Sequence, residues 1–139
     1  MLCCLQLVAC SSAVNLTSPP LSFVDTKMAN ISINKDVVRY MVRYELTKDS
    51  PDGLYAKLHY QDLTNRKLFH TTPIGALNDV KVLNFKSLGE DKVINNQYYE
   101  MTLILYKDSN YTKAVGMHRD LIWFEVPENV AKILKITLL

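Results

Sequence analysis

The stretch VVRYMVRYELT, residues 37–47, alternates between two sets of side chains. Its even-numbered members are apolar or aromatic, and they are Val38, Tyr40, Val42, Tyr44 and Leu46. The odd-numbered members carry both arginines and the glutamate. Because successive side chains of a strand point to opposite faces, this period of two predicts one long strand with a buried face and a wetter face.

Similar apolar runs follow along the chain, separated by turn residues such as KDSPDG at 48–53. Five further strands are predicted, at residues 54–60, 67–71, 80–87, 97–107 and 111–126. Residues 72–76 are predicted to be a loop, because Pro73 argues against a central strand. We also predict a polar connection at 88–96. The tail at 130–139 fits either a helix or a strand, and its rising β-branched content favours the strand.

About seven strands without a convincing helix predict an all-β protein, an antiparallel β-sandwich, with its domain at residues 30–139. The run QYYEMTLILY at 97–106, followed by a hairpin, resembles the last two strands of an immunoglobulin or fibronectin type III sandwich. The resemblance implies an immunoglobulin-like strand order and a tyrosine corner at the start of the penultimate strand. A transthyretin-like sandwich is the alternative, since Trp123 lies on the last strand and the Cys…Trp…Cys spacing is absent.

The N-terminal residues MLCCLQLVACSS form an uncharged apolar run that ends in Leu7-Val8-Ala9-Cys10. This ending resembles the lipobox of bacterial lipoproteins. The resemblance implies a signal peptide at 1–9, a lipidated Cys10 as the first mature residue and a tether at 10–29. Ser11 after the cysteine implies sorting to the outer membrane, with the domain facing the periplasm. Ordinary secretion and a buried N-terminal strand are the alternatives.

Composition and cysteine usage exclude several functional classes. Charged residues make up 22% of the 139 residues, and the formal net charge of +2 is spread without a basic stripe, so nucleic-acid binding is not expected. All three cysteines lie within the first ten residues. The body therefore lacks a disulfide, a zinc site made of thiolates and a catalytic thiol.

The remaining candidates for chemistry do not form a recognisable catalytic or metal site. His59, His70 and His118 lack metal-ligand spacing and are expected on solvent faces. Residues 118–120, His-Arg-Asp, have acid–base side chains, but adjacent strand residues point to opposite faces. We expect them to be solvated charges of a bulge or loop. Without a nucleophile elbow or a phosphate-binding glycine loop, we predict no enzyme, no catalytic residue, no metal and no cofactor.

The outward row of residues 37–47 is the best candidate for a binding surface. Arg39 and Arg43 flank Met41, and we expect Tyr55, Lys57 and His59 to lie beside them. Arg, Tyr and Met are enriched at protein interfaces, so this row is a candidate docking patch, the alternative being an ordinary solvated face.

Taken with the lipobox, the patch predicts a membrane-anchored periplasmic lipoprotein. It would act as a protein-binding accessory module of an envelope or secretion assembly, with an unidentified envelope protein as partner. The alternative is a secreted immunoglobulin-like domain that binds glycans or another ligand. Three N-glycosylation sequons, at Asn15, Asn30 and Asn110, keep that alternative open.

Overall fold

The computed structural model describes residues 4–9, 23–77 and 81–139. Within them the chain forms strands almost throughout, with one short helix near the C-terminus. The elements are β1 (Cys4–Ala9), β2 (Val24–Asn34), β3 (Val37–Leu46), β4 (Leu54–Gln61), β5 (Phe69–Leu77), β6 (Val82–Lys86), β7 (Lys92–Val93), β8 (Gln97–Tyr106), β9 (Ala114–Glu125), α1 (Glu128–Leu134) and β10 (Thr137–Leu138).

Two antiparallel sheets contain all the long strands. Sheet A has the order β1-β9-β8-β4-β5, and sheet B has the order β2-β3-β6. The short strands β7 and β10 pair in parallel as a separate ribbon. The fold is therefore an all-β antiparallel sandwich, as the sequence predicts.

The strand order follows the immunoglobulin-like scheme. If β2, β3, β4, β6, β8 and β9 are lettered A, B, C, E, F and G, sheet B joins A, B and E, and sheet A joins C, F and G. The Tyr99 hydroxyl, near the start of β8, lies 2.6 Å from the Ile94 carbonyl oxygen and 3.0 Å from that of Leu63. This backward hydrogen bond is the geometry of a tyrosine corner. The strand order favours the immunoglobulin-like prediction over the transthyretin-like alternative.

The core lies between the two sheets and follows the alternation in the sequence. The even-numbered residues of β3, from Val38 to Leu46, are buried, and the residues between them are half-buried. On β8 the buried face includes Tyr99, Met101, Leu103 and Leu105. The faces predicted for these two strands are therefore correct.

The tail differs from the predicted strand, because its first half is the helix α1. Pro127 precedes the helix with extended backbone angles, and Ala131 is its buried contact with the core. Lys135 ends the helix in the left-handed conformation. The Ile136 amide then donates to the Ala131 carbonyl at 2.9 Å, a bond typical of helix C-termini, before β10 pairs with β7.

The loop predicted at residues 72–76 is also wrong, since these residues continue β5. Pro73 is accommodated because β5 is the outermost strand of sheet A and, among the described strands, pairs only with β4. The register shifts opposite Pro73, between Ala56 and Lys57, and Gly75 takes a φ of 98°. The predicted polar connection at 88–96 contains the short strand β7.

At the N-terminus, β1 lies antiparallel to β9 at the edge of sheet A. β2 begins at Val24, so it extends across the boundary placed between a tether ending at residue 29 and a domain beginning at residue 30. Cys10 and residues 11–22 lie outside the described residues. Among the described residues, no helix has the length and apolar character needed to cross a membrane.

Candidate functional site

Arg39, Met41 and Arg43 lie in a row on the outer face of sheet B. They project there because the residues between them point into the core. β3 is the central strand of this sheet, so the row has neighbours on both sides. On β6, Lys86 is paired with Met41 and Asn84 with Arg43.

We name Arg39, Met41, Arg43 and Lys86 the sheet B patch. A cleft of about 370 Å³ covers part of it, and its lining comprises Ser32, Asn34, Lys35, Asp36, Val37, Arg39, Met41 and Lys86. Three of these side chains are cationic and one is anionic, so the cleft has a net positive lining with Met41 as its flexible apolar part.

Arg43 is held by its neighbours in the sheet. Its guanidinium donates to the Asn84 Oδ1 at 3.2 Å and to the Glu45 Oε2 at 3.4 Å. The Arg43 and Glu45 side chains are 41% and 38% exposed, so this ion pair is solvated and contributes little to stability. It orients the guanidinium while leaving it partly exposed to solvent.

The segment that contains Gly89 lies tightly against the patch. Glu90 and Val38 exchange two main-chain hydrogen bonds, of 2.8 and 2.9 Å. A Cβ atom on Gly89 would lie 2.2 Å from the Val37 Cγ1 and 3.0 Å from the Arg39 Nη2. Only a glycine lets the main chain approach β3 this closely, and the approach brings the Gly89 main chain beside the Arg39 guanidinium.

Tyr55, Lys57 and His59 do not lie beside this row, so that expectation is wrong. They are on β4, which belongs to sheet A, and they point to the opposite outer face of the sandwich. Alternation along a strand fixes the face of each residue but not the sheet that the strand joins. The connection between β3 and β4 carries the chain from one sheet to the other.

Tyr55 and Lys57 belong instead to an aromatic cluster on the outer face of sheet A. The Tyr111 ring makes edge-to-face contacts with Tyr55, at 6.3 Å between centroids, and with Tyr106, at 5.4 Å. The Lys57 Nζ lies 4.8 Å from the Tyr111 centroid and 5.7 Å from that of Tyr106. The three rings therefore contact one another, and the Lys57 ammonium group makes favourable cation–π contacts with two of them.

The expectation of solvated charges at residues 118–120 is wrong. Asp120 is completely buried, and the side chains of His118 and Arg119 are only 19% and 18% exposed. Arg119 points to the other face of sheet A and pairs with Glu100 at 3.0 Å. The Asp120 Oδ2 accepts hydrogen bonds from the hydroxyls of Thr26 and Tyr44, each at 3.0 Å. Asp120 thereby contacts β2 and β3 from β9.

The geometry around Asp120 differs from that of a nucleophile with its base. His118 Nε2 lies 2.6 Å from the Thr26 Oγ1, and the same nitrogen is 3.6 Å from the Asp120 Oδ2. In a catalytic triad the carboxylate binds the other ring nitrogen and so orients the base. The four side chains lie between β2, β3 and β9, where they connect the two sheets.

The other two histidines have structural contacts. His59 stacks on Phe69 with centroids 5.0 Å apart, and His70 Nε2 lies 2.6 Å from the Asp62 Oδ2. Partial burial of Asp62 by itself raises the pKa of its carboxyl. Hydrogen bonds from Thr64 and His70 outweigh that effect and hold this pKa below its ordinary value. Within residues 4–9, 23–77 and 81–139, no group of three His, Cys, Asp or Glu side chains is placed to hold a metal ion.

Sequence reasoning missed Lys86, Gly89 and the buried role of Asp120. A signal was present for Asp120, since it has the same phase as Ile122 and Phe124, the apolar residues that face the core. No comparable signal existed for Lys86 or Gly89, because their role depends on which strands are neighbours.

Comparison with family models, curated proteins and solved structures gives no match to this chain.

Proposed function

We propose that this chain is a membrane-anchored lipoprotein of the bacterial envelope whose β-sandwich binds a second envelope protein through the sheet B patch. The observation that carries the proposal is the cleft on sheet B, where Arg39, Lys86 and Met41 line one cavity. Arginine and methionine are enriched at protein interfaces, and a cleft with a charged rim and an apolar part suits a protruding side chain of a partner.

The charge of the patch defines the partner's chemistry. Lys35, Arg39 and Lys86 face Asp36 alone among the ionisable side chains that line the cleft. An acidic segment of a partner would complement this charge, and such complementarity speeds association and selects the partner. The proposed partner therefore presents carboxylates around an apolar side chain that contacts Met41.

The anchor rests on the resemblance of residues 7–10 to a lipobox. A lipid chain contributes roughly 0.8 kcal/mol of membrane affinity per buried CH₂ group, so a diacylglyceryl group with an added acyl chain anchors a protein of this size stably. Attachment at Cys10 would keep the patch near partners in the same membrane.

The anchor is tested by replacing the cysteines one at a time. We expect Cys10→Ala to move the protein from the membrane fraction to the soluble fraction without unfolding it. The matched control Cys4→Ala keeps the lipobox and should remain in the membrane fraction. Mass spectrometry of the wild-type protein should give an N-terminus at Cys10 with a lipid adduct. Membrane-bound Cys10→Ala would refute the anchor.

The binding surface is tested by reversing the charge of the patch. We expect Arg39→Glu with Arg43→Glu to abolish cross-linking to the wild-type protein's envelope partner, while the melting temperature changes by no more than a few degrees. Lys107→Glu with Lys113→Glu changes the same charge at exposed positions of the β8–β9 hairpin, and it should keep the partner. If both double variants keep the partner, the sheet B patch is not the interface.

A further inference from the structure

The outer edge of β9 is covered in this structure by residues of the same chain. β1 pairs with it antiparallel over six residues in one register, from Cys4 opposite Glu125 to Ala9 opposite Asp120. Cleavage before Cys10, which the proposed function requires, removes all six residues of β1. Among the described strands β9 then becomes the outermost of sheet A, and its outward N–H and C=O groups at residues 120–125 lose the partners that β1 provides.

The other outer edges of the two sheets carry features that oppose pairing with another chain. β5 contains Pro73 and lies opposite a shift in register. β2 has a register shift between Thr26 and Met28, next to the exposed ion pair of Asp25 and Lys27. β6 is only five residues long. Prolines, bulges, edge charges and short strands are the ordinary means of preventing edge-to-edge association.

The edge of β9 lacks these features over its central residues, and the exposed Glu125 lies at the end of the stretch that β1 covers. Residues 121–124 are Leu-Ile-Trp-Phe, without a proline or a charge. Their register against β8 is unbroken, because the only shift in that pair lies at the other end, between Leu105 and Tyr106. The Asp120 side chain is buried between the sheets, so its charge does not protect the edge. A regular edge of this kind, whose central residues are uncharged, is a template for another strand.

We propose that the outer edge of β9 at residues 120–125 is a strand-acceptor site, which in the cleaved protein is occupied by an extended apolar segment of a partner protein. The inference rests on the proposed cleavage before Cys10. Residues 4–9, CLQLVA, show the chemistry of the occupant, an uncharged run of about six residues in antiparallel orientation. Main-chain hydrogen bonds supply the affinity in this mode of recognition, and side-chain contacts supply the specificity.

The side-chain contacts are available beside the same edge. The Trp123 ring packs against Tyr98 at 5.1 Å between centroids, on the outer face of sheet A. Tyr98 is 48% exposed, so this aromatic pair offers apolar surface to the outward residues of a bound segment. Residue 6 pairs with Trp123 in the present register, and the corresponding partner residue would contact the pair.

The site is tested with a dye-labelled peptide, Ser-Leu-Gln-Leu-Val-Ala, which copies residues 4–9 with serine for the cysteine. Fluorescence anisotropy measures its binding to three full-length chains. These chains are synthesised in a system that lacks export machinery, so that residues 1–9 are retained. These are the wild type, the variant Gln6→Pro with Leu7→Pro, and the control Ser11→Pro with Ser12→Pro. Prolines in β1 remove amide donors and release the strand. We expect the chain with Gln6→Pro and Leu7→Pro to bind the peptide at least tenfold more tightly than the wild type and the Ser11→Pro, Ser12→Pro control do.

A second measurement uses the cleaved protein purified from membranes. It tests the acceptor site even if the proline variant of β1 does not fold. The peptide should bind this protein and slow amide hydrogen exchange at residues 120–125, whereas a peptide with two central prolines should do neither. Equal binding to all chains, or no binding to the cleaved protein, overturns the acceptor site. If the cleaved protein forms a dimer that the peptide does not dissociate, a second copy occupies the edge of β9. That result overturns the proposal that a partner protein's segment binds there.

The failure of the anchor would be seen separately. If mass spectrometry shows that the protein from cells retains residues 1–9, cleavage before Cys10 is refuted, and with it the proposed state in which a partner occupies the edge. Peptide binding that fails while the N-terminus is found at Cys10 refutes the acceptor site alone.

Discussion

The hydroxyl of Tyr44 donates a hydrogen bond of 3.0 Å to the Oδ2 of Asp120, across the interface between sheet B and sheet A. Both side chains are buried. Burial raises the pKa of Tyr44 well above its ordinary value, and the nearby charge of Asp120 raises it further. The hydroxyl therefore remains a donor throughout the neutral range, and the bond joins the sheets at a buried carboxylate.

We expect Tyr44→Phe to destabilise the fold by about 1.5–3 kcal/mol, the range for a hydrogen bond to a charged group. The matched control is Tyr40→Phe, which loses a 2.7 Å bond to the neutral carbonyl of Gln61 and should cost about 0.5–1.5 kcal/mol. Urea unfolding of both variants measures the two costs. A cost for Tyr44→Phe no larger than that of the control would show that Asp120 does not depend on this bond.

Truncation of the core should be costly, because no disulfide lies in the body of the chain. We expect Leu103→Ala to cost about 2–4 kcal/mol and Val42→Ala about 1–3 kcal/mol, through lost burial and the cavity that remains. Leu103 is 0% and Val42 is 1% exposed. The exposed Ile133→Ala on α1 is the control and should change the urea midpoint little. Near-neutral effects at both buried positions would contradict the assigned faces.

The fold class and the buried faces were predictable, because alternation along β3 and β8 is a local property of the sequence. The hairpin after β8 was predictable from the two extended runs that flank it, although its connection runs from residue 107 to 113, and β9 begins at Ala114 instead of residue 111. The tail was not, since its apolar residues fit a helix and a strand equally well. In the structure this segment is a helix that buries Ala131 and ends at Lys135 in the left-handed conformation. Pro73 misled the prediction because proline excludes a central strand but not the edge position that β5 takes.

The candidate site was only partly predictable. The outward row of β3 follows from alternation, and the structure places it on one face as expected. Its neighbours do not follow, because Lys86 reaches the patch through the pairing of β3 with β6, which are far apart in sequence. The bond between Tyr44 and Asp120 likewise spans 76 positions of the chain, and no local pattern relates the two residues.

Asp62 should make stability depend on pH in the acid range. Its pKa in the folded protein lies below the ordinary value, so the unfolded chain binds a proton there more readily. The stabilisation is fully present above the unfolded pKa and is lost as the pH falls through the folded pKa. We expect Asp62→Asn to lose less stability than the wild type between about pH 5 and pH 3. Urea unfolding at a series of pH values measures the two stabilities. If wild type and Asp62→Asn lose the same free energy of unfolding across this range, the role assigned to Asp62 is contradicted.

Gly89 should be intolerant of even a methyl group. In Gly89→Ala the Cβ would lie 2.2 Å from the Val37 Cγ1, closer than carbon atoms approach without a shift of one of them. The Arg39 Nη2, at 3.0 Å, has a flexible side chain and can move away, but Val37 is branched next to the main chain of β3. We therefore expect the segment to lift from β3, to weaken the hydrogen bonds between Val38 and Glu90, and to cost about 1–3 kcal/mol.

The neighbouring Leu88→Ala is the control for Gly89→Ala, because Leu88 is 88% exposed and its truncation should cost no more than about 0.5 kcal/mol. Thermal unfolding of the two variants gives the comparison. The Gly89 variant should also weaken binding of the proposed partner, because lifting the segment changes the surface beside the Arg39 guanidinium. If Gly89→Ala unfolds at the wild-type temperature and keeps the proposed partner, the segment shifts without cost, and the close approach at Gly89 matters neither for stability nor for binding.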